Sequence, residues 1–119
     1  MESEDLKFEF AHVGINCSAE EEAKSVAGAF AKMFDVQPKT GNSSIFAGKN
    51  IEIMKKRYLG EKGHLGFKTN NIQLAIDKLK SNGYAIDLET LKKDSEGNIK
   101  SVYLTGEFAG FAIHLVQDE

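Results

Sequence analysis

The chain has 119 residues, 41% of them apolar and 28% charged, a composition typical of one globular domain or of two very small halves that share a core. Its net charge of −3 excludes a strongly basic nucleic-acid-binding surface, and no apolar stretch reaches the roughly 18 residues that a membrane span needs. The single cysteine excludes an internal disulfide, and the acidic residues 1–5 lack the apolar segment of a secretory signal, so a cytoplasmic location is expected.

The first half of the chain predicts a strand, a helix and two short strands. An alternating apolar pattern at residues 8–16 is typical of a β-strand. Ser18 and Glu21 form a capping-box pattern that predicts the start of a helix. Apolar residues at helical spacing within 23–34 mark its buried face, and Pro38 stops it. Two short strands follow at residues 43–47 and 51–54, joined by a turn at 48–50.

The second half predicts the same kinds of element after a polar loop at 55–62. Residues 64–69 form a strand, Asn71 is the predicted N-cap of a helix with an apolar stripe, and Gly83 suits the left-handed position after its end. The remaining strands are predicted at residues 85–88, 99–104 and 111–116, with a turn at 94–98 between the first two.

We take the element order as β-α-β-β-β in both halves, with one strand of each half less clearly marked, and this order indicates an internal repeat with halves at about 8–56 and 62–117. The segments Ala11–Asn16 and Gly63–Lys68 both read small, His, apolar, Gly, apolar, polar, and both lead into a helix. The last strands of the two halves also match in residue type. The predicted fold is therefore α+β, with two βαβββ modules that form one cupped mixed sheet.

The three histidines of the chain occupy related positions in this repeat. His12 and His64 are equivalent residues of the two first strands, and His114 in the last strand has Glu52 as its counterpart. If the halves pack about a pseudo-twofold axis, all four side chains converge. Three imidazoles and a carboxylate suit a divalent metal ion (Zn, Ni, Fe, Mn or Co), without selecting among these metals. The alternative is a hydrogen-bonded polar cluster without a metal.

Strand alternation supports convergence on one face. In the first strand it places His12 on the face of Phe10 and Gly14 and leaves an apolar face to pack on the helices. Three other side chains are predicted to line a substrate pocket, with ordinary core packing as the alternative for each: Phe46, Met54 and Tyr103.

Two further features have both a functional and a structural interpretation. Lys55, Lys56 and Arg57 form a basic cluster that would attract an anionic substrate, but a solvated loop is the favoured interpretation. Cys17 precedes a helix, a position that lowers thiol pKa, but no base lies beside it in sequence. We therefore expect Cys17 to be a small buried residue.

From about Phe8 to Gln117 the chain resembles the vicinal oxygen chelate superfamily, which includes glyoxalase I, methylmalonyl-CoA epimerase and extradiol dioxygenases. The matching motifs are His12-Val-Gly-Ile, Ile51-Glu-Ile, Gly63-His-Leu-Gly and Gly110-Phe-Ala-Ile-His-Leu. The resemblance implies a single glyoxalase-like domain over residues 1–119 and metal ligands at these motifs: His12, Glu52, His64 and His114.

The chain departs from the glyoxalase pattern in two places. His114 stands where a glutamate is usual, and Glu107-Phe-Ala-Gly110 replaces an Asp-Pro-x-Gly turn. Glyoxalase I activity itself is therefore not expected.

A narrower resemblance is to a small glyoxalase-like segment found with bacterial keto-hydroxyglutarate and keto-deoxy-phosphogluconate aldolases. It rests on residues 10–17 and 110–117. The chain is not itself such an aldolase, because a (β/α)₈ barrel needs about 200 residues or more.

The resemblance implies a metal-dependent lyase or isomerase that binds a small carbonyl or hydroxy-carbonyl substrate through two adjacent oxygens. Glu52 is the expected catalytic base, since a ligand carboxylate can detach and accept a proton. The alternative is a non-catalytic ligand-binding or accessory module linked to a keto-acid aldolase. A homodimer is expected, with sites formed either within one chain or between two chains.

Overall fold

Two βαβββ modules follow one another in the computed structural model, which describes residues 6–118. The acidic segment 1–5, predicted not to be a signal, lies outside the described residues. The elements in chain order are β1 (Phe8–Asn16), α1 (Glu20–Phe34), β2 (Pro38–Thr40), β3 (Ser44–Ala47), β4 (Ile51–Met54), β5 (Gly63–Thr69), α2 (Ile72–Ser81), β6 (Ile86–Lys93), β7 (Ile99–Leu104) and β8 (Phe111–Gln117). Within the described range, neither helix has the length and apolar character that a membrane crossing requires.

All eight strands belong to one mixed sheet in the order β2-β3-β4-β1-β5-β8-β7-β6. The two modules join through the antiparallel pair β1–β5, and each first strand also pairs in parallel with the last strand of its own module. The predicted α+β architecture of two modules in one sheet is thus confirmed. The strands that carry the four candidate ligands, β4, β1, β5 and β8, are neighbours at the centre of the sheet.

The helices cover separate apolar cores on one face of the sheet. Under α1 the buried side chains include Ala23, Ala27 and Ile53, and under α2 they include Ile76 and Val102. Ile51 packs against the first of these cores and Leu115 belongs to the second, as strand alternation predicts. The opposite face of the central strands is therefore free to carry polar side chains.

The start of α1 differs from the prediction. Ala19, without a side-chain cap, is the N-cap, and the helix begins at Glu20. Ser18 lies one residue outside the helix, where its backbone N–H and its hydroxyl both donate to Glu22 Oε1, at 2.7 and 3.0 Å. The predicted capping box of Ser18 and Glu21 is wrong because the helix starts one residue later than predicted. Glu22, and not Glu21, therefore accepts the hydrogen bonds from Ser18.

In the second module the N-cap prediction is confirmed, since the Asn71 side chain accepts a hydrogen bond from the Leu74 N–H at 3.1 Å. The strand predicted at 85–88 extends to Lys93 as β6. Its register with β7 shifts between Asp87 and Lys92, and this irregularity hides the alternation that would predict the longer strand. In the first module, β2 begins at Pro38 on the edge of the sheet, where proline is tolerated.

A register shift in β1 corrects one assignment of faces. Phe10 pairs with Phe67 and His12 pairs with Gly66, so that Ala11 is an extra residue between them. Because Gly66 and Phe67 are consecutive residues of β5, they face opposite sides of the sheet. Phe10 therefore lies on the face opposite His12, contrary to prediction, and its ring contacts Phe67 edge to face.

Candidate functional site

The strand register places the candidate ligands in two adjacent rows on one face of the sheet. In the first row Gly14 of β1 lies between Glu52 of β4 and His64 of β5. Paired residues in neighbouring strands project to the same side, so the carboxylate and the imidazole face each other across a glycine.

The second row repeats this arrangement. Gly66 of β5 lies between His12 of β1 and His114 of β8, and His114 is followed by Tyr103 of β7. Each module thus contributes one histidine and one glycine at equivalent positions of its first strand.

The two glycines give the histidines their space. A Cβ atom on Gly14 would overlap the His64 ring, and one on Gly66 would overlap the His12 ring. Each imidazole therefore lies over the glycine of the other module's first strand. This packing of each histidine on a glycine explains the His-x-Gly pattern in both halves. In the sequence the pattern indicates the repeat, but it does not show what the glycines do.

The four polar side chains meet within a single chain. His12 Nε2 lies 3.2 Å from His64 Nε2, and Glu52 Oε1 lies 3.1 Å from His64 Nε2 and 3.5 Å from His12 Nε2. Nitrogen atoms of His12, His64 and His114 all lie within 4.8 Å of one another. One chain therefore brings its own two halves together at this cluster.

These distances fit a common metal ion. Ligand atoms that bind one ion at 2.0–2.2 Å in adjacent positions lie about 3.0–3.5 Å apart. The buried Nδ1 atoms of His64 and His114 have no hydrogen-bond partner, so hydrogen bonds at Nδ1 do not fix these two rings. His12, His64 and Glu52 thus fit a divalent cation with nitrogen and oxygen ligands, and a nitrogen of His114 lies within 4.8 Å of those of the other two imidazoles.

Two neighbouring side chains fix the orientation of the cluster. Ser44 Oγ donates to Glu52 Oε2 at 2.7 Å, which leaves Oε1 directed at the imidazoles. The Tyr103 ring stacks on His114 with centroids 4.2 Å apart and an interplanar angle of 8°. Ser44 was not predicted as a site residue, because a serine in a short strand carries no signal that it contacts a carboxylate eight residues later.

The surroundings of His12, Glu52 and His114 favour the protonation states that bind metals. Burial is the main cause that lowers the pKa of His12, and burial with the neighbouring imidazoles lowers the pKa of His114 to about 3. Burial alone would raise the pKa of Glu52, but hydrogen bonds from His64 and Ser44 and the nearby imidazoles bring it below its usual value. At neutral pH, His12 and His114 are therefore neutral and Glu52 is ionised.

Two cavities adjoin the cluster and share Glu52, Lys92 and His114. The inner cavity, of about 290 Å³, is also lined by Met54 and Tyr103. The lysine-lined cavity, of about 360 Å³, is also lined by His12, Phe46, Lys93 and Lys100. The three side chains predicted to contact substrate thus lie beside the cluster, with Met54 and Tyr103 buried and Phe46 half-buried.

The basic cluster of Lys55, Lys56 and Arg57 lines a third space, the helix-end cavity, of about 470 Å³ at the start of α1. Lys55 Nζ lies 2.8 Å from the Gly41 carbonyl oxygen and 3.4 Å from a Glu20 carboxylate oxygen, so its charge is already partnered. This cavity adjoins the inner cavity without reaching the imidazoles.

Cys17 is buried in the core under α1, as predicted. Burial and the adjacent Glu22 carboxylate raise the pKa of its thiol. Burial, together with the negative side chain, therefore outweighs the pKa-lowering effect expected of a position before a helix.

No family model and no curated protein matches the chain. Solved structures do: a hypothetical protein from Bacillus halodurans C-125 has 14% identity and a TM-score of 0.66, over 95% of this chain and 96% of that one. A variant of Streptomyces coelicolor methylmalonyl-CoA epimerase, in complex with 2-nitronate-propionyl-CoA, has 12% identity and a TM-score of 0.62, over 92% and 94%.

Methylmalonyl-CoA epimerase from Mycobacterium tuberculosis has 15% identity and a TM-score of 0.60, over 92% of this chain and 87% of that one. Methylmalonyl-CoA epimerase is a member of the vicinal oxygen chelate superfamily. At these identities the similarity shows the glyoxalase-like fold.

Proposed function

We propose that the chain is a metal-dependent enzyme of the vicinal oxygen chelate superfamily, of lyase or isomerase type. Its substrate is a small carbonyl or hydroxy-carbonyl compound with two adjacent oxygens. The observation that carries this proposal is the convergence of three imidazoles, two of them in contact with the Glu52 carboxylate, on neighbouring strands beside two cavities. The glyoxalase-like fold of the solved structures supports it.

In this proposal the metal ligands are His12, Glu52, His64 and His114. Zn, Ni, Fe, Mn and Co all accept such a set, so the ligand chemistry leaves the metal open. When bound, the ion supplies Lewis-acid polarisation of the adjacent substrate oxygens. Packing orients the rings, since His64 lies on Gly14 and His114 stacks on Tyr103.

Glu52 is the proposed base. Its lowered pKa keeps it ionised, and the Ser44 hydroxyl holds one carboxylate oxygen while both cavities reach the side chain. A carboxylate in this position is suited to accept the proton from the carbon next to a substrate carbonyl. Phe46, Met54 and Tyr103 then contact the apolar part of the substrate.

The presence of a histidine at position 114 limits which reaction we propose. The fourth ligand of the glyoxalase pattern is a glutamate, which this chain lacks, so the proposal is a lyase or isomerase other than glyoxalase I. One chain completes the cluster alone. The expected homodimer is therefore not required to build the site, and both the dimer and the aldolase association stay predictions.

A second candidate function is a non-catalytic binding or accessory module. It is favoured by the direct contacts of His64 Nε2 with His12 Nε2 and with Glu52 Oε1, which hold part of the cluster together without an ion. In that case the same residues form a polar network with no Lewis acid.

Metal analysis of untagged protein separates the two candidates. We expect about one divalent ion per chain, and a Co²⁺ titration that is lost in His64→Ala and Glu52→Gln, with folding verified by circular dichroism. The metal-loaded protein should exchange the proton next to the carbonyl of hydroxy-carbonyl compounds in D₂O, and Glu52→Gln should not. Folded protein that ignores Zn²⁺, Ni²⁺ and Co²⁺ would contradict the proposal.

A further inference from the structure

The lysine-lined cavity is positively charged in a protein that is acidic overall. Lys92, Lys93 and Lys100 line it, and Glu52 is the single carboxylate among the described residues of its lining. The whole chain has a net charge of −3, so the excess of lysines is a local property of this cavity.

Lys92 has the central position among these lysines, because it lines both cavities beside the cluster. The strand register pairs it with Ser101 of β7, two residues from Tyr103, which pairs with His114. Residues two apart in a strand share a face, so Lys92 lies on the face of the sheet that carries the imidazoles.

The positive charge of Lys92 has no counterion in the described part of the chain. Residues 6–118 contain no carboxylate in ion-pair contact with Lys92, Lys93 or Lys100. With a divalent ion bound, the cluster would carry a net charge of about +1 after Glu52 is counted, and like charges held at close range repel. A lysine beside such a cluster is stabilised when an anion lies between them.

Resting on the proposed function, we infer that the substrate is an oxyanion: a carbonyl or hydroxy-carbonyl compound that bears a carboxylate or phosphate group. Lys92 binds this group across the lysine-lined cavity, and Lys93 and Lys100 at the rim attract it. Lys92 is thereby a specificity-determining residue, which favours charged substrates over neutral ones of similar size.

The test is a binding experiment with Co²⁺-loaded protein and three small probes. Oxalate presents vicinal oxygens with a carboxylate, phosphoglycolate adds a phosphate, and dihydroxyacetone is a neutral hydroxy-carbonyl compound. Calorimetry should show that Lys92→Gln weakens binding of at least one of the two anions on the order of 10-fold, since hydrogen bonds to charged groups are the stronger ones. Binding of dihydroxyacetone should change less than about twofold, and Co²⁺ binding should not weaken, because the variant removes a nearby positive charge.

The matched control is Lys78→Gln, which removes the same charge from an exposed position on α2. It should leave all three probes unaffected, and Lys92→Arg should retain anion binding. The anion that responds identifies the carboxylate or the phosphate as the recognised group.

Two outcomes with the Co²⁺-loaded protein would overturn the inference. One is unchanged affinity for both anions in Lys92→Gln. The other is a loss of affinity in Arg57→Gln with Lys92→Gln unaffected, which would place the oxyanion in the helix-end cavity instead.

The proposed function can fail separately from this inference. If wild-type protein does not bind Co²⁺, the metal site is wrong, and titration of metal-free protein with inorganic phosphate or oxalate still tests Lys92. We expect weak binding that is lost in Lys92→Gln and at high salt. Metal-free wild-type protein that binds neither phosphate nor oxalate would overturn the inference.

Discussion

Gly14→Ala should destabilise the protein and abolish metal binding through one added methyl group. The new Cβ would overlap Cε1, Nδ1 and Nε2 of the His64 ring. His64 is 1% exposed, so its ring can give way only by leaving the position in which it contacts His12 and Glu52. Overpacking of a filled site costs about 1–3 kcal/mol, of which roughly 0.4–1 kcal/mol is offset by the lower entropy of the unfolded chain with alanine.

We therefore expect the free energy of unfolding to fall by about 1–2 kcal/mol in urea titrations of the metal-free protein. Gly66→Ala should cost less, because it displaces His12, whose side chain is 14% exposed and can tilt towards solvent. Co²⁺ affinity should fall in both variants by more than the roughly 10–100-fold loss typical of an outer-shell change.

Gly28→Ala is the matched control. Gly28 lies in α1, and a methyl group added to it would meet no atom within 4 Å, so alanine there should stabilise the helix by about 0.5–1 kcal/mol. If Gly14→Ala proves as stable as the wild type and binds Co²⁺ equally well, the reciprocal packing of histidine on glycine is not what positions the ligands.

Three other predictions concern Ser44, His114 and Cys17. Ser44→Ala should weaken Co²⁺ binding roughly 10–100-fold and leave the fold intact, because Ser44 orients Glu52. Unchanged Co²⁺ affinity in this variant would contradict that role of Ser44. In metal-free protein the pKa of His114 is about 3, below that of the unfolded chain, so the unfolded state binds more protons on acidification. Stability should thus fall by on the order of 2 kcal/mol from about pH 7.5 to about pH 5, and His114→Gln should remove most of this dependence. The buried Cys17 thiol should react with a disulfide reagent only after denaturation, and fast native labelling would contradict its burial and raised pKa.

The sequence predicts the convergence of His12, Glu52, His64 and His114 because it contains the same module twice. Two histidines at equivalent positions of two first strands, with His114 and Glu52 at equivalent positions of two last strands, meet when those strands are neighbours in one sheet. The apolar alternation of β4 and β8 fixes the face, because Ile53 and Leu115 must be buried under the helices. Both patterns can be identified within short stretches of sequence, and both are found again in the folded chain.

Other features depend on how strands pair, which local patterns do not reveal. The extra residue Ala11 reverses the face of Phe10, and the shifted register of β6 brings Lys92 to the site from a stretch outside the predicted strands. Ser44 is a neighbour of Glu52 only across the β3–β4 hairpin. Glycines are the least predictable part, because Gly14 acts through the space that a side chain would fill.

A crystal structure of the protein grown with Zn²⁺, with anomalous data collected at the zinc edge, tests the central claim most directly. We expect one strong peak within about 2.0–2.2 Å of nitrogen or oxygen atoms of His12, Glu52, His64 and His114. A map without a peak there, in which His64 keeps its direct contacts with His12 and Glu52, would show that the cluster is a hydrogen-bonded network and that the proposed metal chemistry is wrong.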